Sequence, residues 1–302
     1  MEELRGRRLK ILIIQGGPAS PDKERNVAAM ASLLEEAVKE SAPDFAVFCE
    51  LATTPYFCAT QSKEAFPWAE AVPGPTTQVF SALAFQHHVN IVLPLFERGP
   101  HNGEFYNSAL LMDREGKLVA GRLPQGSEAL TYRKCHLPAV HNYGPALNEK
   151  YFFRPGPGFP IFSVEGLRVG LLICYDRSFP ESWRMLALQG AEVVFVVSSS
   201  ASPNRAETFI YELRTAAVQN GLYIIAPNRG GTETFEGVEL TFFGLSSVID
   251  PFGRVMAQGP AEEGPALIRA ELDLALLEEH ATTYHYRRDR RPEIYPLVTG
   301  LP

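Results

Sequence analysis

The sequence predicts an α/β fold in which two β-sheets pack face to face and helices cover their outer surfaces. Short apolar runs, typical of buried strands, alternate with segments whose apolar residues recur at helical spacing. The order strand, helix, strand, helix, strand, hairpin occurs in each half of the chain, although the halves share no sequence repeat. Because each element must bury its apolar face against a second layer, we expect the sheets inside and the helices outside.

The first half of the chain contains the first set of these elements. The helix at residues 22–41 places Val27, Met30, Leu34 and Val38 at helical spacing. A second helix, at residues 76–88, is expected to bury Val79, Leu83 and Phe85. The turn residues Asp113-Arg-Glu-Gly116 predict a hairpin between the last two strands of this half. The predicted strands are residues 9–15, 45–49, 90–95, 105–112 and 117–122.

The second half follows a long irregular segment, residues 124–160, which is rich in Pro, Gly and Asn. Loops of this length inside compact domains are usually functional. We expect a single domain over residues 1–302, with residues 283–302 as a Pro- and Arg-rich C-terminal tail. The predicted strands are residues 161–164, 167–173, 193–198, 222–226, 243–249, 254–258 and 266–272, and the predicted helices are residues 181–189, 205–220 and 273–280.

The composition excludes several classes of protein. The 302 residues are 45% hydrophobic and 21% charged, which is ordinary for a globular protein. The net charge of −7 argues against a nucleic-acid partner, because phosphate contacts need a basic face. The apolar run at residues 11–14 is too short for a signal-peptide core or a membrane span, so no membrane partner is expected.

The cysteines indicate a reducing compartment. None of the four forms a C-x-x-C pair, so a zinc ribbon or a thioredoxin motif is not supported. Four scattered cysteines in a chain of this length do not make a disulfide scaffold, and we therefore expect a cytoplasmic protein with reduced thiols. The cysteines are Cys49, Cys58, Cys135 and Cys174.

Cys174 stands where an apolar strand ends and a helix is predicted to begin. Ser178 and Glu181 have the spacing of a capping box, and Pro180 suits the first helical turn. The nearby helix N-terminus would favour a thiolate, which is the nucleophilic form of cysteine. A buried structural cysteine is the alternative, since cysteine also behaves as a small hydrophobe. These residues alone leave both interpretations open.

A nucleophilic thiol needs a base and a donor for the oxyanion, and several residues compete for these roles. Glu50 directly follows an apolar strand, where a carboxylate must be paired, although a structural salt bridge would also satisfy it. Lys134 lies in a short extended run, where an exposed lysine is the simpler expectation. His136 or His141 could form a Cys/His pair with Cys174, although the apolar neighbours of His136 are more typical of a core histidine.

The segments around Glu50, Lys134 and Cys174 resemble the three signature segments of the nitrilase superfamily of carbon–nitrogen hydrolases, in the same order. Further matches extend the resemblance over nearly the whole chain. The signature segments are Phe48-Cys-Glu-Leu51, Tyr132-Arg-Lys-Cys-His-Leu-Pro138 and Leu172-Ile-Cys-Tyr-Asp-Arg-Ser-Phe-Pro-Glu181. The further matches are Asn148-Glu-Lys-Tyr-Phe-Phe-Arg-Pro-Gly156, Ala226-Pro-Asn-Arg-Gly230 and Arg288-Asp-Arg-Arg-Pro-Glu-Ile-Tyr295.

The resemblance implies a four-layer αββα sandwich and a Glu-Lys-Cys triad at Glu50, Lys134 and Cys174, with Glu149 beside it. In these roles Glu50 is the general base, and Lys134 stabilises the oxyanion together with the Tyr175 backbone N–H. Cys174 attacks a carbonyl carbon and forms a thioester. No metal and no organic cofactor are implied. The family also implies a homo-oligomer, a dimer or a higher even assembly, formed through the C-terminal tail.

The residues after Cys174 indicate the branch of the family. Arg177 stands where enzymes of N-carbamoyl amino acids place an arginine for the substrate carboxylate, although it could instead pair with a neighbouring acidic residue. The family motifs also imply substrate contacts for Tyr56 and Asn228. Ser178 departs from the D-carbamoylase pattern, which has a second arginine there. The expected substrate is therefore an N-carbamoyl amino acid or a related N-carbamoyl compound, with an ω-amidase or aliphatic amidase, a nitrilase and a catalytically silent binding protein as alternatives.

Overall fold

The computed structural model describes residues 6–140, 146–201 and 203–299. His141, one of the two histidines considered as a base, lies outside these ranges. The strands are β1 (Arg8–Gln15), β2 (Phe45–Phe48), β3 (Asn90–Arg98), β4 (Phe105–Met112), β5 (Gly121–Arg122), β6 (Glu128–Ala129), β7 (Tyr132–Arg133), β8 (Ala139–Val140), β9 (Leu147–Asn148), β10 (Ile161–Val164), β11 (Leu167–Ile173), β12 (Val193–Val197), β13 (Tyr223–Ala226), β14 (Gly230–Phe235), β15 (Val238–Phe243), β16 (Ser247–Ile249), β17 (Val255–Gln258) and β18 (Ala266–Asp273). The α-helices are α1 (Lys23–Glu40), α2 (Pro75–His87), α3 (Glu149–Phe152), α4 (Pro180–Leu188), α5 (Pro203–Asn220), α6 (Ala275–Thr283) and α7 (Pro296–Thr299).

Two large sheets form the centre of the fold. Within the described ranges, the first sheet has six strands in the order β18-β1-β2-β3-β4-β7, and the second has eight in the order β17-β16-β13-β12-β11-β10-β5-β6. Strands β1, β2 and β3 run parallel, as do β11, β12 and β13. The carboxyl ends of β2 and of β11 and β12 carry the site described below.

The alternation of side chains along β1 shows how the layers pack. Leu9, Ile11 and Ile13 face a buried cluster shared with the second sheet, while Leu12 and Ile14 face a second cluster beneath α1 and α2. Across the sheet interface, the ring centroids of Phe45 and Phe195 lie 5.6 Å apart. The prediction of two inner sheets with helices outside is therefore confirmed.

On the second sheet, α4 lies close against β11. A Cβ at Gly170 would come within 2.8 Å of the Leu186 side chain, so the absence of a side chain at Gly170 permits this approach. Trp183 and Leu186 of α4 and Phe209 of α5 are fully or almost fully buried and belong to the main apolar cluster. This packing fixes α4 and α5 next to the carboxyl end of β11.

Three details of the sequence prediction are wrong. The predicted hairpin around Asp113–Gly116 is shorter than expected: Leu118 bridges to Met112 and the Val119 N–H donates to the Leu111 carbonyl, but Gly121–Arg122 pairs with β10 of the second sheet. The strand predicted over residues 243–249 is interrupted at Gly244 and Leu245, whose φ angles of 62° and 58° are incompatible with a strand. The β14–β15 hairpin before this break was not predicted.

In addition to these three details, the predicted buried face of α2 is wrong. Val79 and Phe85 are 41% and 58% exposed, whereas Phe80, Leu83 and Ala84 are buried. Residues at i, i+3 and i+4 share one helical face, so a face that contains Leu83 also contains Phe80 and Ala84 rather than Phe85. The periodicity of apolar residues predicted the position of the helix correctly, but the helical face predicted to be buried was the wrong one.

The C-terminal segment is partly ordered into short turns. A 3-10 helix spans Pro292–Ile294 and α7 follows it. No helix within the described ranges is long and apolar enough to cross a membrane. The same ranges contain no group of three or more His, Cys, Asp or Glu side chains arranged to hold a metal ion.

Candidate active site

The two sheets are joined by hydrogen bonds where β2 and β12 end. The Glu50 backbone N–H donates to the Ser198 carbonyl at 3.3 Å. In return, the Ser199 N–H donates to Glu50 Oε2 at 2.9 Å and the Ser199 hydroxyl donates to the Glu50 carbonyl at 2.8 Å. Glu50 is fully buried, and these bonds fix both its main chain and its carboxylate.

Lys134 is also fully buried, and its ammonium lies between two carboxylates. Nζ donates to Glu50 Oε1 at 2.8 Å and to Glu149 Oε1 at 2.6 Å. The Lys134 N–H donates to the Asn107 carbonyl on β4, and the Asn107 side-chain amide donates to Glu50 Oε1 at 2.7 Å. A buried ammonium is tolerated only when it is paired and hydrogen-bonded, and this geometry satisfies that condition. The simpler expectation of an exposed lysine is therefore wrong.

The charges at Lys134 and Glu149 are strongly linked. Burial alone lowers the pKa of the Lys134 ammonium, but the carboxylates of Glu149 and Glu50 raise it well above its ordinary value. For Glu149, burial raises the pKa to about 7, and the attraction of Lys134 opposes this rise. The Tyr56 hydroxyl donates to Glu149 Oε1 at 2.7 Å, while Glu149 Oε2 is buried and has no partner among the described residues.

Cys174 opens a 3-10 helix, Cys174–Ser178, between β11 and α4. Its φ angle is 49°, in the left-handed region that non-glycine residues seldom occupy. Sγ lies 3.5 Å from the Ser200 hydroxyl. Burial and the charge of Glu50 raise the pKa of the Cys174 thiol, while Lys134 and Arg177 act to lower it. A cysteine whose pKa is raised needs a nearby base to take its proton if it is to act as a nucleophile.

The predicted capping box after Cys174 is wrong. Helix α4 begins at Pro180 with Phe179 as its N-cap, and no side chain caps it. Ser178 belongs to the preceding 3-10 helix, and its hydroxyl donates to Glu212 Oε1 at 3.2 Å. The additional turn separates the nucleophile from the start of α4, so the spacing between Ser178 and Glu181 has no capping role.

Arg177 is buried beside the nucleophile. Its Nε donates to Glu212 Oε2 at 3.1 Å, and its NH1 donates to the Cys174 carbonyl at 2.9 Å and lies 3.6 Å from Cys174 Sγ. The acidic partner is thus Glu212 on α5. The alternative partners considered from the sequence, Asp176 and Glu181, are not the ones bonded to this guanidinium.

Both the oxygen and the nitrogen of the Asn228 side-chain amide are hydrogen-bonded to the backbone of the protein. Oδ1 accepts from the Ser200 N–H at 2.8 Å and Nδ2 donates to the Gly244 carbonyl at 2.9 Å. Through the first bond Asn228 positions Ser200, whose hydroxyl lies next to Cys174. Tyr175 directly follows Cys174 in the 3-10 helix, which places its backbone N–H next to the nucleophile in the chain. Substrate contact by Asn228 stays a prediction.

His136 bonds to the carboxylate of Asp176, not to that of Glu50 or Glu149. Its Nδ1 lies 2.8 Å from Asp176 Oδ1, and its backbone N–H donates to the same oxygen at 2.9 Å. The ring stacks on Phe179 with the centroids 3.8 Å apart. Asp176 also accepts a bond of 2.6 Å from the Tyr132 hydroxyl. These contacts give His136 a structural role next to the 3-10 helix, but its side chain is 31% exposed, so the expected core position is wrong.

Several residues of this site were not identified from the sequence. Ser199 and Ser200 follow β12 directly, and polar residues after an apolar strand were the signal that had identified Glu50. Arg229 is fully buried and its guanidinium donates to the carbonyls of Glu50, Leu51 and Thr54. No local pattern indicates that role, because these partners lie at least 175 residues away in the chain.

Comparisons with known sequences identify the family of this chain. The family model described as Carbon-nitrogen hydrolase matches residues 10–282. An N-carbamoylputrescine amidase from Solanum lycopersicum is 32% identical over 292 residues, which cover 93% of this chain and 91% of that protein. A citrullinase from Francisella tularensis is 30% identical over 297 residues, covering 95% of this chain and 96% of that protein.

Solved structures share the fold. A carbon-nitrogen hydrolase from Helicobacter pylori superposes with a TM-score of 0.84 at 28% identity, covering 97% of this chain and 99% of that one. An amidase of the nitrilase superfamily from Nesterenkonia sp. AN1 gives a TM-score of 0.73 at 26% identity, covering 96% and 97% of the two chains. The predicted resemblance and fold are thereby confirmed, and the chain belongs to the carbon–nitrogen hydrolase family of enzymes.

Proposed function

We propose that this enzyme hydrolyses the C–N bond of an N-carbamoyl compound through a thioester on Cys174. The observation that carries the proposal is the fully buried Glu50–Lys134–Glu149 set, whose charges act on the thiol of Cys174. Placing three ionisable groups out of water is costly, and such arrangements cluster at functional sites. The name of the N-carbamoylputrescine amidase relative supports the N-carbamoyl class, and that of the Nesterenkonia amidase supports linear amides as the second candidate.

In the first step, Glu50 takes the proton of Cys174 as Sγ attacks the carbonyl carbon. The new S–C bond forms a tetrahedral intermediate, whose oxyanion receives hydrogen bonds from the Lys134 ammonium and the Tyr175 N–H. Collapse of this intermediate breaks the C–N bond, and the proton held by Glu50 passes to the departing nitrogen. Because burial raises the pKa of the thiol, a base in this position is required for the attack.

In the second step, Glu50 accepts a proton from water as the water oxygen attacks the thioester carbon. The C–S bond breaks, and the proton returns to the sulfur of Cys174. For an N-carbamoyl substrate the products are an amine, carbon dioxide and ammonia. Glu149 keeps Lys134 in place through Oε1, and its unpartnered Oε2 can accept a hydrogen bond from a substrate N–H.

Purified enzyme is expected to release ammonia from N-carbamoyl compounds faster than from simple amides or nitriles. The panel consists of N-carbamoyl-β-alanine, N-carbamoylputrescine, propionamide and propionitrile, with kcat/KM measured for each by ammonia release. A preference of at least about tenfold for the carbamoyl pair supports the proposal. Faster turnover of propionamide would support the amidase alternative, and faster turnover of propionitrile would support the nitrilase alternative. If no compound is turned over, the catalytically silent binding protein is the alternative that is supported.

Activity is expected to rise with pH through an apparent pKa near 7, because burial raises the pKa of Glu149 to about 7 and the ionised form balances Lys134. The effect on stability has the opposite sign. Between its ordinary value of 4.5 and about 7, the folded state binds a proton that the unfolded state does not, so this group stabilises the fold as pH falls. A loss of activity at about pH 6 would therefore not be caused by unfolding of the protein.

The test measures kcat/KM and thermal stability between about pH 5 and about pH 9 in the wild type and in Glu149→Gln. The amide cannot ionise, so the residual activity of the variant should lack the acidic limb near pH 7. An unchanged limb in Glu149→Gln would assign that ionisation to another group and contradict the prediction.

The predicted homo-oligomer is supported by exposed apolar side chains in the C-terminal segment. Ile294, Leu297 and Val298 are 58%, 93% and 60% exposed. Large apolar side chains that are adjacent and exposed are typical of contact surfaces. We propose that this segment takes part in self-association, with an even number of subunits, and that the enzyme is cytoplasmic.

A further inference from the structure

We propose that Arg177 is a positioning residue that holds the Cys174–Tyr175 peptide unit in the orientation needed by the oxyanion, and that Glu212 holds Arg177. This inference rests on the proposed function, because it assigns the Tyr175 N–H as an oxyanion donor. It differs from the role expected from the sequence, in which Arg177 binds a substrate carboxylate.

The carbonyl of Cys174 and the N–H of Tyr175 belong to one peptide unit, and a peptide unit is planar. Arg177 NH1 donates to that carbonyl at 2.9 Å. A bond that fixes the carbonyl direction therefore also fixes the direction of the N–H on the other side of the plane. In this way Arg177 acts on the oxyanion donor without touching the substrate.

This peptide unit follows a residue, Cys174, in an uncommon backbone conformation. Its φ of 49° is uncommon for a residue with a side chain, and such a conformation costs on the order of 1 kcal/mol or more unless the surroundings maintain it. Rotation of the Cys174–Tyr175 peptide unit changes ψ of Cys174 and φ of Tyr175, and it would turn the Tyr175 N–H away from its direction. The hydrogen bond from Arg177 opposes that rotation.

Arg177 is itself firmly held. Its side chain is 3% exposed, and its guanidinium carbon lies 4.8 Å from the ring centroid of Phe209. Nε donates to Glu212 Oε2, while Glu212 Oε1 accepts from Arg205 at 2.8 Å and from Ser178 at 3.2 Å. The carboxylate that pairs with Arg177 is therefore supplied by the protein.

This arrangement argues against a carboxylate clamp that uses Nε or NH1 of Arg177. A substrate carboxylate that bound Nε or NH1 would have to displace Glu212 or the Cys174 carbonyl, respectively. The two roles predict different kinetics. A clamp acts on the binding of carboxylate-bearing substrates, whereas a positioning residue acts on the chemical step for every substrate.

The test compares Arg177→Gln with the wild type on N-carbamoyl-β-alanine, which carries a carboxylate, and on propionamide, which does not. We expect kcat to fall about 100-fold on both substrates and KM to change by less than about threefold, because loss of one oxyanion donor costs about 10²–10³ in kcat. Alkylation of Cys174 by iodoacetamide forms no carbonyl oxyanion, so its rate should fall by less than about tenfold.

A second variant tests the role of Glu212 and keeps the proposal testable if Arg177→Gln fails to fold. Glu212→Gln is expected to lower kcat by about 3- to 10-fold on both substrates, since Arg177 loses its charged partner. The double variant should be no slower than Arg177→Gln alone, because Glu212 acts through Arg177. Arg184→Gln is the matched control: this arginine of α4 donates to the Gln219 carbonyl, and its replacement should leave kcat unchanged.

Three outcomes overturn the inference. A rise in KM confined to N-carbamoyl-β-alanine would establish the carboxylate clamp. An unchanged kcat in folded Arg177→Gln, or in Glu212→Gln if the first variant does not fold, would remove the positioning role. An alkylation rate that falls as much as turnover would mean that Arg177 acts on the thiolate. If the wild type turns over no substrate, the proposed function itself fails, which is distinguishable from all three.

Discussion

Replacement of Cys174 with alanine is expected to lower turnover by at least about 10⁴-fold on every substrate, because no other group can form the thioester. The proposed mechanism assigns the attack to Cys174, whose thiol has its pKa raised by burial and by the charge of Glu50. Ammonia release measures the loss. Intact mass after rapid mixing with substrate should show an acyl adduct in the wild type and none in the variant.

Cys135→Ala is the matched control. Cys135 follows Lys134 directly, but its Sγ lies 3.5 Å from the Gly158 carbonyl and 3.6 Å from the Arg133 carbonyl. Removal of this thiol should keep kcat within about threefold of the wild type. Substantial turnover by Cys174→Ala, or an acyl adduct that maps to Cys135, would overturn the assignment of the nucleophile.

Replacement of Lys134 with methionine is expected to lower kcat by about 10³- to 10⁵-fold and to destabilise the protein by about 3–5 kcal/mol. The kinetic loss reflects the missing cation at the oxyanion. The loss of stability has a separate cause, because Glu50 and Glu149 would be left as buried carboxylates without their shared ammonium. Substrate turnover and chemical denaturation measure the two effects independently.

A double variant separates these effects. Lys134→Met combined with Glu149→Gln removes one of the two uncompensated charges, so it should recover part of the lost stability and none of the lost activity. The single variant should also gain stability as pH falls, because the buried carboxyls can then become protonated. A Lys134→Met protein that keeps wild-type stability at neutral pH, or that keeps its turnover, would contradict this account of the site.

Much of the fold could be predicted because the patterns that encode it are local. Apolar runs and helical spacing located the strands from β1 to β4 and from β10 to β13, and the helices α1, α2, α4 and α5. The errors occur where tertiary pairing overrides the local pattern. The strand predicted over residues 117–122 pairs with β4 only at its start and passes to the second sheet at Gly121–Arg122, and two left-handed residues divide the strand predicted over residues 243–249.

In the candidate site, too, some features could be predicted from the sequence and others could not. The sequence by itself determined which residues follow the ends of apolar strands, and the order of the motifs indicated Glu50, Lys134, Cys174 and Glu149. Only the tertiary structure decided which groups these residues contact. Glu50 bonds to Ser199, 149 residues away, because the ends of β2 and β12 meet between the sheets.

Arg177 shows most clearly what could not be predicted from the sequence. Its position after the nucleophile is visible in the sequence, but its partner Glu212 lies 35 residues further along on α5. Side-chain periodicity reports which face of an element is buried, whereas the partner of a buried charge depends on how α5 packs against the turn at the end of β11. The sequence therefore determined the fold class and indicated the candidate reactive residues, and the packing of separate elements decided what holds each of them in place.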